Sequence, residues 1–327
     1  GLSQVSTGAS AFFGAISGSA PATTAAIGSI MIPSMTERGY KKAFSATVVA
    51  ASGALGLIIP PSLTMVVYGV SSGASIGALF LCGIVPGIMI AMMLAAINYW
   101  RAKQLPSGEV VSMFKRKMFF MFLFVLFMPF IILGGIYAGV FTATESAAVA
   151  CLYGLIIGFF VYRTLTLKKL FEILKSTGEN AALIMFLMGT ANFFGFIITA
   201  ERLPQTLAEM IVGYTSSKEM VMIMVLLMLL VLGTFLDNVA ALVLFVPTMM
   251  GVVNALGIDP VYFGVFTIIA LAVGQFTPPV GLNLFIASNI AQVKFELVVK
   301  ETLPYLAAYV AMLVLFIFVP QLLMVFA

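Results

Sequence analysis

Two Pro-Pro pairs break long apolar runs of this chain, GLIIPPS at Gly56–Ser62 and GQFTPPVG at Gly274–Gly281. Pro60 and Pro278 stand 218 positions apart, and each pair follows by roughly 30 residues an apolar segment that carries another proline, Pro33 or Pro247. Proline inside a helix removes a donor and opens the carbonyl four residues back, so each pair frees polar main chain. In a bilayer such groups are tolerated where they line a cavity, and matched breaks in two halves of a chain point to a transporter's binding site.

Composition makes lipid the surrounding medium. Apolar residues are 62% of the chain, charged residues 9%, and mean hydropathy is +1.17; a soluble domain carries about 25% charged residues. The fold class is an all-α polytopic membrane protein. Apolar runs predict crossings at about 44–70 and 261–291, each broken by its proline pair, and at about 77–100, 118–139, 144–162, 179–199 and 302–325. Two more stretches, about 4–35 and 219–250, are roughly 32 residues long with small or polar centres, Ser17-Gly18-Ser19 and Asp237-Asn238. Two full crossings need about 40 residues and a turn. Both stretches are therefore expected to be re-entrant helical hairpins.

Basic residues test that topology. Arg38, Lys41 and Lys42 fall in one loop, Arg101, Lys103, Lys115, Arg116 and Lys117 in the next, Arg163, Lys168, Lys169 and Lys175 in a third, and Lys294 and Lys300 in a fourth. With two hairpins and the crossings above, these 14 lie on one side and only Arg202 and Lys218 opposite. The positive-inside rule makes the four loops cytoplasmic. The stretches Arg101–Lys117 and 163–176 read as amphipathic surface segments that grip anionic headgroups.

The same topology opens the first hairpin to the cytoplasm and the second to the other side, the signature of an inverted repeat. Residues 1–100 form the first repeat, 101–217 a cytoplasmic loop and three crossings of the second, and 218–327 the second hairpin, broken helix and C-terminal helix. The three crossings at 118–199 have no counterpart in the first repeat, so the 218-residue offset predicts about 100 further residues ahead of Gly1.

Chemistry follows from the breaks. In AISGSAPATTAAIG (15–28) Ser17, Ser19, Thr23 and Thr24 supply hydroxyls, and Pro21 suits the first turn of a new half-helix whose free N–H groups attract an anion. Close helix packing by small residues is the alternative reading of that segment. Carbonyls opened at Gly56, Ile59 and Pro61 suit a hard cation, and the repeat offset puts an equivalent cradle at Gly274, Thr277 and Pro279. Asp237 is an intramembrane carboxylate, hence a functional candidate; it also reads as the N-cap of a half-helix starting near Val239. Asn238 and Asn283 are candidate neutral contacts for solute, with Ser19 and Thr23. Glu145 reads as one half of a capping box with Thr142. Tyr99, Trp100 and Arg101 read as an interfacial anchor.

The chain has no histidine, and Cys82 and Cys151 sit in apolar spans as packing residues. No phosphate-binding loop, metal cluster or flavin fingerprint appears, so ATP hydrolysis and an organic cofactor are not expected, and an intramembrane enzyme would need an acid–base partner that Asp237 lacks. Oxygen cradles with one acid and no histidine favour Na⁺ as coupling ion over a proton relay. Nucleic acid is no partner for basic residues sorted by membrane side.

The motifs SGSAPATTAAIGSIMIPSM (17–35), ERGY (37–40), GALGLIIPPS (53–62), FTATESAAVA (141–150), GTFLDN (233–238) and GQFTPPVGLNLF (274–285) resemble the large membrane subunit of tripartite ATP-independent periplasmic (TRAP) transporters, over essentially the whole chain. The resemblance implies a multi-pass protein of the bacterial cytoplasmic (inner) membrane and an elevator mechanism, in which both hairpins and both broken helices slide against a scaffold. It implies Na⁺ near Ser17, Ser19 and the Gly56–Pro61 break, and near Gly233, Asp237 and the Gly274–Pro279 break. Implied partners are a small four-helix membrane subunit and a periplasmic substrate-binding protein. The implied substrates are small organic acids such as C4-dicarboxylates or sialic acid, the hairpin wording standing nearest the sialic-acid branch. A stand-alone Na⁺-coupled dicarboxylate or anion carrier of the wider inverted-hairpin superfamily is the alternative.

Overall fold

The structure, a computed structural model, describes residues 1–102, 116–202, 206, 209, 210, 213, 215 and 217–326; for 116–122, 191, 192, 198 and 199 it describes main chain only. Lys103 and Lys115 of the second basic loop lie outside the described residues. Every secondary element among the described residues is helical. In chain order they are α1 (Leu2–Ser17), α2 (Ala20–Glu37), α3 (Lys42–Gly53), the single turn α4 (Leu55–Ile58), α5 (Leu63–Ser72), α6 (Ile76–Ala102) and α7 (Arg116–Tyr137). There follow α8 (Ala143–Ile156), α9 (Leu167–Ala200), α10 (Lys218–Phe235), α11 (Asn238–Ala255), α12 (Pro260–Gly274), α13 (Leu282–Ala291) and α14 (Phe295–Phe318). Two compact units result, Gly1–Gly108 with Gly195–Ala327, and Glu109–Phe194.

The larger unit is a structural repeat. Moved along by 218 positions, the bounds of α2 become Asn238 and Ala255, those of α11, and the starts of α5 and α6 fall within one residue of those of α13 and α14. Each repeat thus runs helix, short junction, helix, broken helix, long helix. The junctions are two residues, Gly18-Ser19 and Leu236-Asp237, and both proline pairs have a cis peptide bond. At the first break the chain turns by 41° between Lys42–Ile58 and Leu63–Ser72. Leu57 has its carbonyl opened by Pro61, and Ser62 Oγ donates to it at 2.7 Å, with Thr64 Oγ1 at 3.5 Å. The backbone deficit made by one residue is thus met by a hydroxyl just after it.

The two repeats interlock reciprocally. In each, the first arm packs on the first half of its own broken helix, α1 on α3 and α4, α10 on α12. The second arm packs on the second half of the other repeat's broken helix, α2 on α13 and α11 on α5. Likewise α6 lies on α12 and α14 on α3. This exchange buries α3 and α12 almost completely, from Ala46 to Ala51 and from Val265 to Val273.

Polar side chains tie these apolar helices together. Tyr68 donates to the Pro260 carbonyl at 2.6 Å, Tyr309 to Ala51 at 3.1 Å and Thr47 to Val298 at 3.1 Å, each bond joining one repeat to the other. At the basic end Arg101 pairs with Glu301 and lies 5.1 Å from the Phe44 ring and 5.6 Å from that of Tyr305. Trp100 is 79% exposed, and Arg101 cross-links α6 to α14.

Among the described residues six helices are long and apolar enough to cross a membrane, and the bent pair at the first break makes a seventh span. Both α10 and α11 are among the six, at 18 residues each. Such helices measure about 27 Å, longer than half of the ~30 Å hydrocarbon core.

In the smaller unit α7 and α8 pack together, and Tyr153 donates to the Phe124 carbonyl at 2.8 Å. Thr142 and Glu145 form the expected capping box, Thr142 N donating to Glu145 Oε2 at 2.8 Å. From Leu167 the segment 163–176 is the start of α9, 34 residues long.

Candidate functional site

The Gly18-Ser19 junction sits in the first helix break. Gly18 has φ +61°, the left-handed conformation that ends α1, and a Cβ there would lie 2.9 Å from the Pro61 carbonyl oxygen. Leu63 N donates to the Gly18 carbonyl at 3.4 Å, which ties the junction to the chain beyond the prolines. Ser19 then caps α2, accepting from Ala22 N, with Pro21 in the first turn as its fixed φ favours. Thr23 Oγ1 donates to the Ser19 carbonyl at 2.7 Å and stands 2.9 Å from Ser17 Oγ. A Cβ on Gly56 would come within 2.6 Å of Thr23 Oγ1 and 2.7 Å of the Ser19 oxygen. Ser17, Ser19, Thr23, Gly56 and Pro61, far apart in sequence, therefore converge on one cluster of hydroxyl and carbonyl oxygens. Ile59 has its side chain against Gly87 of α6.

The second break repeats the plan with different polar groups. Gly233 and Gly274 touch main chain to main chain, as Gly14 and Gly56 do in the first repeat; a Cβ on Gly233 would lie 3.2 Å from Gly274 Cα. Asp237 caps α11, its Oδ2 accepting from Val239 N at 3.0 Å, and its residue is exposed at the junction. Thr277 Oγ1 donates to the Val273 carbonyl at 2.6 Å, and Pro279 is exposed. Asn238 is 4% exposed and accepts from Gln275 Nε2 at 3.2 Å. Asn283 N donates to the Gln275 carbonyl at 2.9 Å, while Asn283 Nδ2 donates to Ala50 O of α3 at 3.1 Å. So Asn238 and Asn283, read as separate solute contacts, belong to one buried amide chain that crosses between repeats.

Sequence reasoning passed over Gln275, which links them, and the pair Ser62 and Thr64. Gln275 was detectable as an uncharged amide inside a run otherwise apolar up to the proline pair. Buried acceptors remain here: Gln275 Oε1, Asn283 Oδ1 and Thr24 Oγ1 have no hydrogen-bond partner among the described residues. Thr24 fills the space above Gly53, one turn along α3 from Ala50.

Both breaks offer oxygen alone. Among the described residues no three His, Cys, Asp or Glu side chains gather as a metal group. Hydroxyls and carbonyls with at most one carboxylate fit a hard cation rather than a transition metal. The tight fit of Gly56 and Gly274 keeps these oxygens close, and the N-termini of α2 and α11 add positive dipole ends for an anion.

Residues 1–322 match the family described as "Tripartite ATP-independent periplasmic transporter, DctM component". The isethionate TRAP transporter permease protein DctMQ of Oleidesulfovibrio alaskensis is 44% identical over 333 residues, which cover 100% of this chain and 52% of that protein. The sialic acid TRAP transporter large permease protein SiaM of Vibrio cholerae is 38% identical, over 98% of this chain and 76% of its own length. The C4-dicarboxylate TRAP transporter large permease protein DctM of Pseudomonas aeruginosa is 36% identical, again over 98% and 76%. The chain thus spans about half of the first relative and about three quarters of the others. These relatives are permeases, not enzymes, and the chain with its apolar spans is a multi-pass protein of the inner membrane. Its family match from end to end, on a repeat of paired helices and broken helices, makes the chain a member of the DctM family, the large membrane component of TRAP transporters.

Proposed function

We propose that this chain carries the solute pathway of a Na⁺-coupled TRAP importer for a small organic anion, working by an elevator movement. The observation that carries the reading is the reciprocal interlock of two broken helices, the first with the Ser19 junction seated on Gly56 and the second with the Gly233 main chain of α10 against Gly274. One Na⁺ is assigned to the oxygens of Ser17, Ser19, Gly56, Ile59 and Pro61, and another to Gly233, Asp237, Gly274, Thr277 and Pro279. Solute binds at Ser19, Thr23 and the α2 N-terminus, with Asn238 and Asn283 shaping the other wall. A carboxylate or a sulfonate suits dipole ends and hydroxyls equally, in keeping with relatives named for isethionate, sialic acid and C4-dicarboxylate. Both junctions are re-entrant and face opposite sides, and the body that carries them slides against a scaffold. A small four-helix membrane subunit and a periplasmic substrate-binding protein complete the importer, for which the relative named DctMQ offers support.

The test is uptake by the full transporter in proteoliposomes, with isethionate, a C4-dicarboxylate and sialic acid, with and without the binding protein, under a Na⁺ or a K⁺ gradient. Uptake of one of them that needs both Na⁺ and binding protein is expected. Equal uptake under K⁺ removes Na⁺ coupling. Uptake of free solute without the binding protein favours a stand-alone carrier.

A further inference from the structure

The end of α14 far from Arg101 and Glu301 holds an open cavity. It measures about 200 Å³, and Lys218, Glu219 and Asp259 stand around it with Met222, Ile258 and Ile317 as apolar walls. These charges are not spent on one another: among the described residues neither carboxylate forms an ion pair with Lys218. Lys218 Nζ donates one of its three protons to the Gly257 carbonyl at 2.8 Å. Asp259 caps α12 through Oδ1, which accepts from Val261 N at 2.7 Å and from Tyr262 N at 3.0 Å. Glu219 Oε2 accepts from Ser217 Oγ at 2.7 Å. Among the described residues, two ammonium protons, Asp259 Oδ2 and Glu219 Oε1 are thus left for a group that enters the cavity.

The other repeat supplies the control. Moved by the 218-residue offset, Tyr40, Lys41, Phe44 and Arg101 take the places of Ile258, Asp259, Tyr262 and Val319. There the Tyr40 ring stacks on Phe44 with centroids 6.1 Å apart, and its hydroxyl reaches the start of α1, 2.9 Å from where a Cβ on Gly1 would stand. Arg101 lies over the same Phe44 ring and is paired with Glu301. The first repeat thus fills this place with an aromatic ring and a matched ion pair. In the second, Ile258 is shorter than tyrosine and Val319 carries no charge, so a gap remains with charges of both signs on its rim. Separated charges of opposite sign around one gap are the electrostatic complement of a zwitterion.

The surroundings say which zwitterion. Helix α10 begins at Lys218 and α14 ends at Phe318, and both are long and apolar enough to cross a bilayer, so the cavity lies where such helices leave the hydrocarbon. Phe318 and Val325, each next in sequence to a lining residue, are apolar and exposed. Pockets for drug-sized ligands run to about 300–1,000 Å³, so this smaller one suits a headgroup whose tails stay outside. Two carboxylates against one ammonium disfavour a headgroup of net negative charge. Free carboxylate oxygens call for N–H donors, which a primary ammonium has and a trimethylammonium lacks. We propose that the cavity binds the phosphoethanolamine headgroup of a lipid, its phosphate on Lys218, its ammonium between Asp259 and Glu219, and its acyl chains along Phe318 and Val325. This site rests on neither the Na⁺ coupling nor the elevator movement proposed above.

Thermal stability of the delipidated full transporter in detergent tests it, with titration by short-chain phosphatidylethanolamine, phosphatidylcholine, phosphatidylglycerol or free O-phosphoethanolamine. Phosphatidylethanolamine is expected to raise the melting temperature at concentrations at least about tenfold below those the other two lipids need, as a charged hydrogen bond would give. Ile258→Tyr supplies the ring that fills the first repeat and should remove this preference. Asp259→Asn combined with Glu219→Gln should remove it too, since asparagine keeps the α12 cap while the ammonium loses its counter-charges. Equal titration by the three lipids, or a preference that survives either change, overturns the site. Stabilisation by free O-phosphoethanolamine as strong as by the lipid gives the cavity to a soluble zwitterion and overturns the lipid assignment. Should Ile258→Tyr fail to insert, the double carboxylate variant decides.

Discussion

A single methyl group probes each helix break. Gly56 receives the Ser19 carbonyl and Thr23 hydroxyl at distances a Cβ cannot share, and Gly274 receives the Gly233 main chain. Gly56→Ala and Gly274→Ala are expected to lower stability by about 1–3 kcal/mol, the range for overpacking, and to abolish uptake; a thermal-shift assay beside transport checks both. Gly8→Ala, with nothing within 4 Å of its added Cβ, is the matched control and should be neutral or slightly stabilising. Asp237 carries two readings that substitution separates. Asparagine caps a helix about as well as aspartate, so Asp237→Asn should hold stability, whereas Asp237→Ala costs about 1 kcal/mol. If the charge serves Na⁺, the asparagine variant shows a right-shifted Na⁺ activation of uptake with unchanged melting; an unshifted curve leaves Asp237 as a cap alone. Both junctions were legible, and the cap at Asp237 with them, because capping is a local rule. The partners of Gly56 were not, since Ser19 and Gly56 meet only after two helices have folded back.

At the scale of elements, α3 and α12 behave as buried axles. Each is covered by its own repeat and by the other, and the main chain of α3 takes bonds from side chains more than 200 positions away, Asn283 onto Ala50 and Tyr309 onto Ala51. Asn283→Leu leaves the Ala50 carbonyl without that donor and is expected to cost about 1–3 kcal/mol. It should loosen the α3–α13 crossing, read as faster hydrogen exchange in α3 than in α9. Unchanged exchange in α3 would mean the amide chain is dispensable to the core. Helix starts and the proline breaks were readable from periodicity and turn chemistry. The link from Asn238 through Gln275 to Asn283 was not, because periodicity says which residues are buried and not which buried polar groups find one another. The continuity of α9 from Leu167 into its apolar part also escaped the reading, since a change from charged to apolar composition does not require a helix to end.

At the scale of the whole molecule, the repeat decides topology. Glu37 and Ala255 end equivalent helices, the second arms of the two pairs. Glu37→Cys and Ala255→Cys should be labelled from opposite membrane faces by an impermeant thiol reagent, Glu37→Cys from the cytoplasm. Labelling of both from one face would end the inverted arrangement and with it the elevator reading. The charge pattern carries this expectation, because 14 of 16 basic residues fall in the four loops that the hairpin topology puts on one side.

Sequence alone determined the medium, the helical class, the two breaks, their 218-residue spacing and the family, because hydropathy, proline chemistry and motif wording are properties of short stretches. Tertiary structure decided which oxygens share a cluster, that each repeat completes the other's broken helix, and that a cavity stands beside Ile258 where Tyr40 fills its counterpart. Those facts depend on helices distant in the chain coming within bonding distance, and no local spacing encodes that approach.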